Sequence, residues 1–518
     1  MTAPSTRPPA GFPFLPLGVC LLATALANAA FALQQTLWLD ETTQLSGLSL
    51  GPIDVTRWLM GADMQARFGC PTAPDRMPPV SYWAQWLWSL LFGTTELSYR
   101  FSGVCFVTLA ALLVFVIARR AYGTGSAVVA TLLLGLSPAI IERAPEIRAY
   151  PFYLLAAALV YYCLARFLER RRQTWLIALC LALLLTIYTH FLGVIFAGVL
   201  FLALLIVCQR RLAVFLAGSA TAAACAGLIP FIVKSRDVSK YGYQWPLQDR
   251  LLAAAETLWH LLGQHITSYH WVCMPLILAA LLLLIRALWR ARGALAPLPQ
   301  CLLLILALGL AVVTAASFGI TAFKPALFQY NLWLVPAVVL LIASLTQSAV
   351  SHARDLARLA AALLLVATVI GTVRTAAWGT MMIHGPHPRL IADIRACGPR
   401  NVTLIHERYS DPAAVQVFYP IAYVFHGQVH QVTWYESLFA TWDHRDEPLR
   451  PELAATRFVI VVRAHFIDLP DVLAPNDDPF PAADAVQQLS TSGRWRLAAT
   501  YTTVGMMRQT VWIFERLP

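Results

Sequence analysis

The sequence predicts an α-helical polytopic membrane protein of about 11 transmembrane helices with a small C-terminal extracytoplasmic α/β domain. Three observations carry this. Of the 518 residues, 58% are hydrophobic and 13% are charged, about half the charged share of an ordinary soluble chain, so a soluble globule of this length would lack the charge to cover itself. Apolar stretches near the roughly 20 residues that cross a bilayer recur from Leu15 to Trp378. Beyond about Met381 such runs stop, and β-branched and aromatic segments alternate with polar ones.

The apolar stretches place spans near 15–37, 98–118, 125–141, 149–167, 174–189, 191–208, 212–233, 271–289, 300–320, 326–346 and 359–378. Tyr188, Thr189 and His190 interrupt an otherwise continuous apolar run, so the fifth and sixth spans are read as two helices. Alternate connections are rich in arginine: Arg119 and Arg120; Arg166 with Arg170, Arg171 and Arg172; Arg210 and Arg211; Arg286, Arg290 and Arg292; Arg354 and Arg358. Cytoplasmic loops carry that excess, which predicts a cytoplasmic N-terminus and an external C-terminal domain. The opposite loops mix acidic, histidine and aromatic residues: 40–76, 142–150, 234–271 and 323–325. Arg7, a short apolar core and the small residues Ala27 to Ala30 have the look of a signal sequence; cleaved or retained, that segment delivers Asp40 to the outer side.

Two domains are expected, a multispan domain over residues 1–380 and a soluble extracytoplasmic α/β domain over 381–518. In the latter, Asn401 to His406, Arg457 to Arg463, Arg494 to Thr502 and Gln509 to Glu515 read as strands. Pro388 to Ala396 and Ala482 to Leu489, each followed by a glycine, read as helices. The formal net charge of +11 comes from short clusters between apolar segments and not from one basic face, so nucleic acid is not a partner. The ten cysteines show no metal-ligand spacing, and most lie within apolar segments as small hydrophobes. His426 and His430 lack a ligand set. No metal site is assigned, and no cofactor follows from the residues.

The chemistry-bearing residues gather on the outer face. Asp40 and Glu41 follow the first span directly; paired carboxylates at a boundary can supply a general base tuned by burial and by each other's charge. They could also simply end a helix in water. Glu142, Arg143, Glu146, Arg148 and Tyr150 form a second cluster, read either as a solvated loop with internal ion pairs or as a site in which Arg148 grips a phosphate bidentately. His190, at the outer end of a span, is a packed residue or a substrate contact. Arg76 and Lys324 are further outer-face cations, each of which also suits a boundary anchor.

Taken in order, Trp38, Asp40 and Glu41 after the first span; Pro78, Pro79, Tyr82 and Trp83 ahead of Leu90 to Gly93; Glu96, Tyr99, Arg100 and Ser102; Glu146, Arg148 and Tyr150; and Tyr188 with His190 resemble the GT-C membrane glycosyltransferases. The likeness runs over roughly residues 15–345 and is greatest to the bacterial relatives of protein O-mannosyltransferases and of the aminoarabinose lipid A transferase. It implies a GT-C-like fold, a polyprenyl-phosphate-linked sugar donor, an extracytoplasmic acceptor that is a lipid, glycan or protein, and a bacterial inner-membrane location. It also implies an inverting transfer with Asp40 as base and Glu41 as its neighbour. Arg148, Glu146, Tyr150, His190, Arg76, Lys324 and Tyr82 are the expected donor-phosphate or substrate contacts. This chain has Met77 where such relatives often carry a basic residue or histidine before the paired prolines, and Gln329 where they often carry arginine before tyrosine; either phosphate binding is redistributed or the donor differs. The competing class is a multispan transporter or glycolipid flippase. Such proteins tend to place ionisable residues at mid-membrane and to repeat their halves; here charge collects at one face and no repeat is visible.

Overall fold

A computed structural model of the chain describes residues 13–62, 77–233, 247–263, 270–319, 328–377, 379, 383–406, 412–433, 456–466, 481–504 and 507–518. The described residues divide into two compact units, one within Met1–Leu33, Pro52–Gly61 and Arg76–Ala377, the other within Gln34–Gly51, Ala62–Asp75 and Trp378–Pro518.

The helices, in chain order, begin with α1 (Phe14–Ala32), α2 (Leu39–Leu48), α3 (Pro52–Leu59), α4 (Val80–Phe92), α5 (Glu96–Tyr122), α6 (Thr124–Gly135), α7 (Pro138–Arg143) and α8 (Tyr150–Arg170). They continue with α9 (Gln173–Ile187), α10 (Gly193–Val207), α11 (Arg211–Ala224), α12 (Leu247–Leu261), α13 (His270–Ala291), α14 (Pro297–Gly319), α15 (Val335–Leu345) and α16 (Ser351–Ala377). Among the described residues each of the eleven apolar stretches expected from the sequence contains helix. Among the described residues eight helical segments are long and apolar enough to cross a membrane: 14–32, 96–122, 150–170, 211–233, 273–294, 297–316, 328–345 and 351–377. The other three stretches form α6, α9 and α10, of 12, 15 and 15 residues. At 1.5 Å per residue these reach about 18–22 Å, less than the roughly 30 Å hydrocarbon core.

Lipid offers no hydrophobic reward for bringing one apolar helix to another, so close approach depends on small side chains and internal hydrogen bonds. Helices α5 and α8 pack on each other, and Ala110, Ala111 and Ala118 of α5 and Ala156, Ala157 and Ala158 of α8 are all buried. Asn28, within the signal-like stretch, is buried in α1 and donates to the carbonyls of Thr24 at 2.7 Å and Gly135 at 3.0 Å; α1 is thereby fastened to the end of α6. At the arginine-rich ends of α5 and α8, Arg120 grips Glu169 through two bonds of 2.9 Å, and Arg166 meets the same carboxylate at 2.6 Å.

In the second unit the strands β1 (Val402–His406), β2 (His430–Thr433), β3 (Phe458–Phe466), β4 (Trp495–Val504) and β5 (Met507–Arg516) form one mixed sheet in the order β2-β1-β3-β5-β4. β1 is parallel to β2 and β3, while β5 runs antiparallel to β3 and β4. Alternate side chains feed two cores. Leu404, Ile460, Val462 and Val511 pack with α17 (Pro388–Cys397) and α18 (Pro412–Val424). Ile405, Val459, Val461 and Phe514 pack with α19 (Pro481–Thr491). The four expected strands and two expected helices are present; β2, α18 and α2 are additions that the sequence did not reveal.

Gly103 of α5 decides how near the chain between α7 and α8 can come. A Cβ there would overlap the Ala144 carbonyl oxygen and touch Pro151 Cγ at 3.1 Å. Gly103→Ala is therefore expected to destabilise the helical unit by about 1–3 kcal/mol, the usual cost of overpacking, seen as a lower melting temperature of the detergent-solubilised protein.

Candidate functional site

The helical unit builds its site from three segments. The first is the loop between α7 and α8. Ser137 starts α7 by accepting from Ile140 N at 3.4 Å, with Pro138 at the first helical position. After Arg143 the chain runs non-helically to Tyr150, where Pro151 helps restart the helix. α5 holds this loop by two contacts: the Gly103 approach to Ala144, and Arg100 NH1 donating to the Pro145 carbonyl at 3.2 Å. Arg100 is itself fixed by a fork onto Glu96, at 3.0 and 2.9 Å. Glu142, Glu146 and Arg148 are buried, so the loop is no solvated turn. Arg143 pairs with both carboxylates, Glu142 at 3.0 Å and Glu146 at 2.6 Å. Burial opposes the charge on Arg143, and the two neighbouring carboxylates outweigh it, holding its pKa above the ordinary arginine value. Glu146 is thus engaged in holding the loop, while Arg148 stands 6.0 Å from the centroid of the Tyr150 ring.

The second segment is the turn between α9 and α10. Val80 N, at the start of α4, donates to the Tyr188 carbonyl at 3.1 Å, which ties this turn to the helix carrying the fully buried Tyr82. The turn is tight: a Cβ on Gly193 would lie 2.7 Å from Ile187 Cα. His190 N donates to the Thr186 carbonyl at 3.0 Å, and His190 Nδ1 accepts from Leu192 N at 3.2 Å. An acceptor at Nδ1 puts the single proton of the neutral ring on Nε2. Burial, and secondarily the Arg148 charge, push the pKa of His190 down to about 3.

The third segment is the short helical stretch Phe328–Leu334, which departs from helical geometry at Asn331 (φ −112°, ψ 20°). It delivers Tyr330, whose ring centroid lies 5.5 Å from His190 and 6.3 Å from Tyr150. Tyr153, one turn beyond Tyr150 on α8, stacks at 4.9 Å from His190. Arg148, Tyr150, Tyr153, His190 and Tyr330 therefore form one cluster. Tyr153 went unnoticed in the sequence, although its i,i+3 spacing from Tyr150 places it on the same helix face. Tyr330 was noted only as the residue after Gln329. Arg76 and Lys324 lie outside the described residues.

The carboxylates belong to the other unit. Asp40, half-buried, and Glu41, fully buried, occupy the first turn of α2, where the positive end of the helix dipole favours negative charge. Glu41 Oε2 accepts from Trp38 N at 3.3 Å, and Gln416 Oε1 from α18 accepts from Leu39 N at 3.0 Å, so the helix start is satisfied from both sides. The Trp38 ring lies 5.3 Å from His384, and Gly385 seats directly on the Leu37 carbonyl, leaving no room for a Cβ. Glu41 thus anchors the turn, and Asp40 is the more exposed carboxylate. Among the described residues no group of three or more His, Cys, Asp or Glu side chains is arranged to hold a metal ion.

Residues 76–233 match the family model described as dolichyl-phosphate-mannose-protein mannosyltransferase. No curated protein sequence matches the chain. Among solved structures, that of ArnT from Cupriavidus metallidurans in the apo state aligns with a TM-score of 0.50 at 13% identity, covering 96% of this chain and 97% of that one. The same protein bound to undecaprenyl phosphate aligns at 0.48 and 12% identity over 96% and 97% of the two chains. The Archaeoglobus fulgidus oligosaccharyltransferase AglB, in complex with an inhibitory peptide and a dolichol-phosphate, aligns at 0.47 and 12% over 87% of this chain and 70% of that one. The apo ArnT match spans both units of this chain and shows the GT-C fold.

A histidine whose folded pKa lies below its unfolded value contributes stability that is complete above the unfolded value, about 6.5, and is lost as pH falls toward the folded one. The loss from His190 should reach on the order of 2 kcal/mol by pH 5. Melting temperatures between pH 7.5 and 5 are expected to fall more steeply for the parent than for His190→Gln.

Proposed function

We propose that the protein is an inverting glycosyltransferase that moves a sugar from a polyprenyl-phosphate carrier to an extracytoplasmic acceptor at a bacterial inner membrane. The observation that carries this reading is the buried loop 142–150, which holds Arg148 against an aromatic cluster with a neutral histidine. That loop lies within the stretch similar to a family whose description names a dolichyl-phosphate sugar donor, and the fold is that of a membrane glycosyltransferase class.

In this reading an acceptor hydroxyl attacks the anomeric carbon, the bond from that carbon to the carrier phosphate breaks, and the configuration inverts. The Asp40 carboxylate takes the acceptor's proton; a positioned base is worth about 10²–10⁴-fold. Polyprenyl phosphate departs with the bonding pair, and Arg148 stabilises its charge as it forms. Arg76 and Lys324 are assigned to the same phosphate, Tyr82, Tyr150 and His190 to the rest of the donor, and Glu146, through Arg143, to the position of the loop. The N-terminus is cytoplasmic and the α/β unit periplasmic, as the arginine-rich connections imply.

Purified protein in liposomes, given a panel of radiolabelled polyprenyl-phosphate sugars and a membrane extract as acceptor, should transfer label. Asp40→Asn should insert and fold normally and lose at least about 10²-fold in kcat; transfer equal to the parent's removes Asp40 as base. Arg148→Gln should lose donor use by a comparable factor, with KM for the donor rising, and unchanged donor dependence excludes the phosphate role.

A further inference from the structure

Tyr153 and His190 are both buried almost completely, at 0% and 2% exposure. Tyr153 Oη and His190 Nε2 have no hydrogen-bond partner among the described residues. Leaving such groups unpaired in an interior costs about 1–3 kcal/mol each, and here two of them sit on rings whose centroids are 4.9 Å apart, tilted by 31°. The Leu192 N to Nδ1 bond fixes His190 Nε2 as a donor, while a tyrosine hydroxyl both donates and accepts. A fixed donor beside an ambivalent hydroxyl complements an alcohol, which can accept from the imidazole and donate to the phenol at once. An anion would need charge brought to these neutral groups, and desolvating it there is costly; Arg148 already supplies the cationic element. Tyr150 and Tyr330 add ring faces around His190, against which the C–H face of a pyranose can pack.

We propose that Tyr153 Oη and His190 Nε2–H together hold one uncharged hydroxyl of the donor's sugar, making them specificity-determining residues. This rests on the glycosyltransferase reading and adds that one particular sugar hydroxyl is required. A site built to hydrogen-bond a substrate hydroxyl discriminates strongly against an analogue that lacks it.

The test uses the full-length protein in liposomes with the transferable polyprenyl-phosphate sugar and each of its mono-deoxy analogues, comparing parent with Tyr153→Phe and His190→Phe. Tyr153→Phe removes only the hydroxyl. It should lower kcat/KM on the intact donor by roughly 10–10²-fold and leave the melting temperature unchanged or raised, because an unpaired buried group is removed. On one deoxy analogue the parent should already be weak, and neither substitution should weaken it further. Equal losses on every analogue, undiminished transfer by Tyr153→Phe, or a lowered melting temperature would each overturn the assignment, the last by showing a structural role such as holding an internal water. Failure of the parent to transfer from any polyprenyl-phosphate sugar would instead remove the glycosyltransferase reading, and this assignment with it.

Discussion

The joint between α5 and the loop that follows α7 is the contact on which the cluster of the helical unit depends. Three ionisable side chains, Glu142, Glu146 and Arg148, are buried in this unit within a few residues of one another, and buried charge persists only where it is paired and held in good geometry. The holding is done by α5. Arg100, buried and forked onto Glu96, has one nitrogen left for the Pro145 carbonyl, and the missing side chain of Gly103 admits the Ala144 carbonyl beside it. Those two contacts fix the loop from below, and Arg143 then neutralises Glu142 and Glu146 within it. What remains to be presented by the loop is Arg148 and the start of α8.

The segment with Asp40 obeys a different constraint. The chain leaves the helical unit after Leu33, contributes Gln34–Gly51 to the α/β unit, and returns at Pro52. Within the α/β unit α2 is not an exposed loop that ends a span. Its first turn is closed by Glu41 onto Trp38 N and by Gln416 onto Leu39 N, and Gly385 packs on the Leu37 carbonyl. Two adjacent carboxylates that look equivalent in sequence are thereby given different duties: Glu41 is buried and spent on the helix start, while Asp40 stays partly exposed. Simple termination of a span in water does not describe this turn.

Hydropathy made the helical architecture legible because a membrane span is a long, one-dimensional signal; every expected apolar stretch contains helix among the described residues. The same signal overstated length for α6, α9 and α10, where apolar residues continue past the helix ends through Leu136 and through Phe191 and Leu192. α2 and α18 escaped notice for the opposite reason: Asp40, Glu41 and Thr42 interrupt one, and Pro420 lies inside the other. At the site, charge and residue type singled out Arg148, Tyr150 and His190. The stacking of Tyr153 and Tyr330 on His190 depends on the meeting of α8, the turn after α9 and the stretch 328–334, which are far apart in the chain and share no local pattern.

His190 shows how fold and chemistry constrain one another at this cluster. Burial and the Arg148 charge both disfavour its protonation, and the turn requires the same outcome. A protonated ring would carry a hydrogen on Nδ1, set against the Leu192 N–H that this nitrogen now accepts, and would loosen a turn so tight that a Cβ on Gly193 would lie 2.7 Å from Ile187 Cα. The turn therefore selects a neutral imidazole in one tautomer, and that tautomer points its only N–H away from the backbone. Burial first, and the nearby Arg148 charge second, keep this donor uncharged. In the proposed reading Arg148 and His190 thus divide the labour, one supplying charge and the other a directed neutral hydrogen bond.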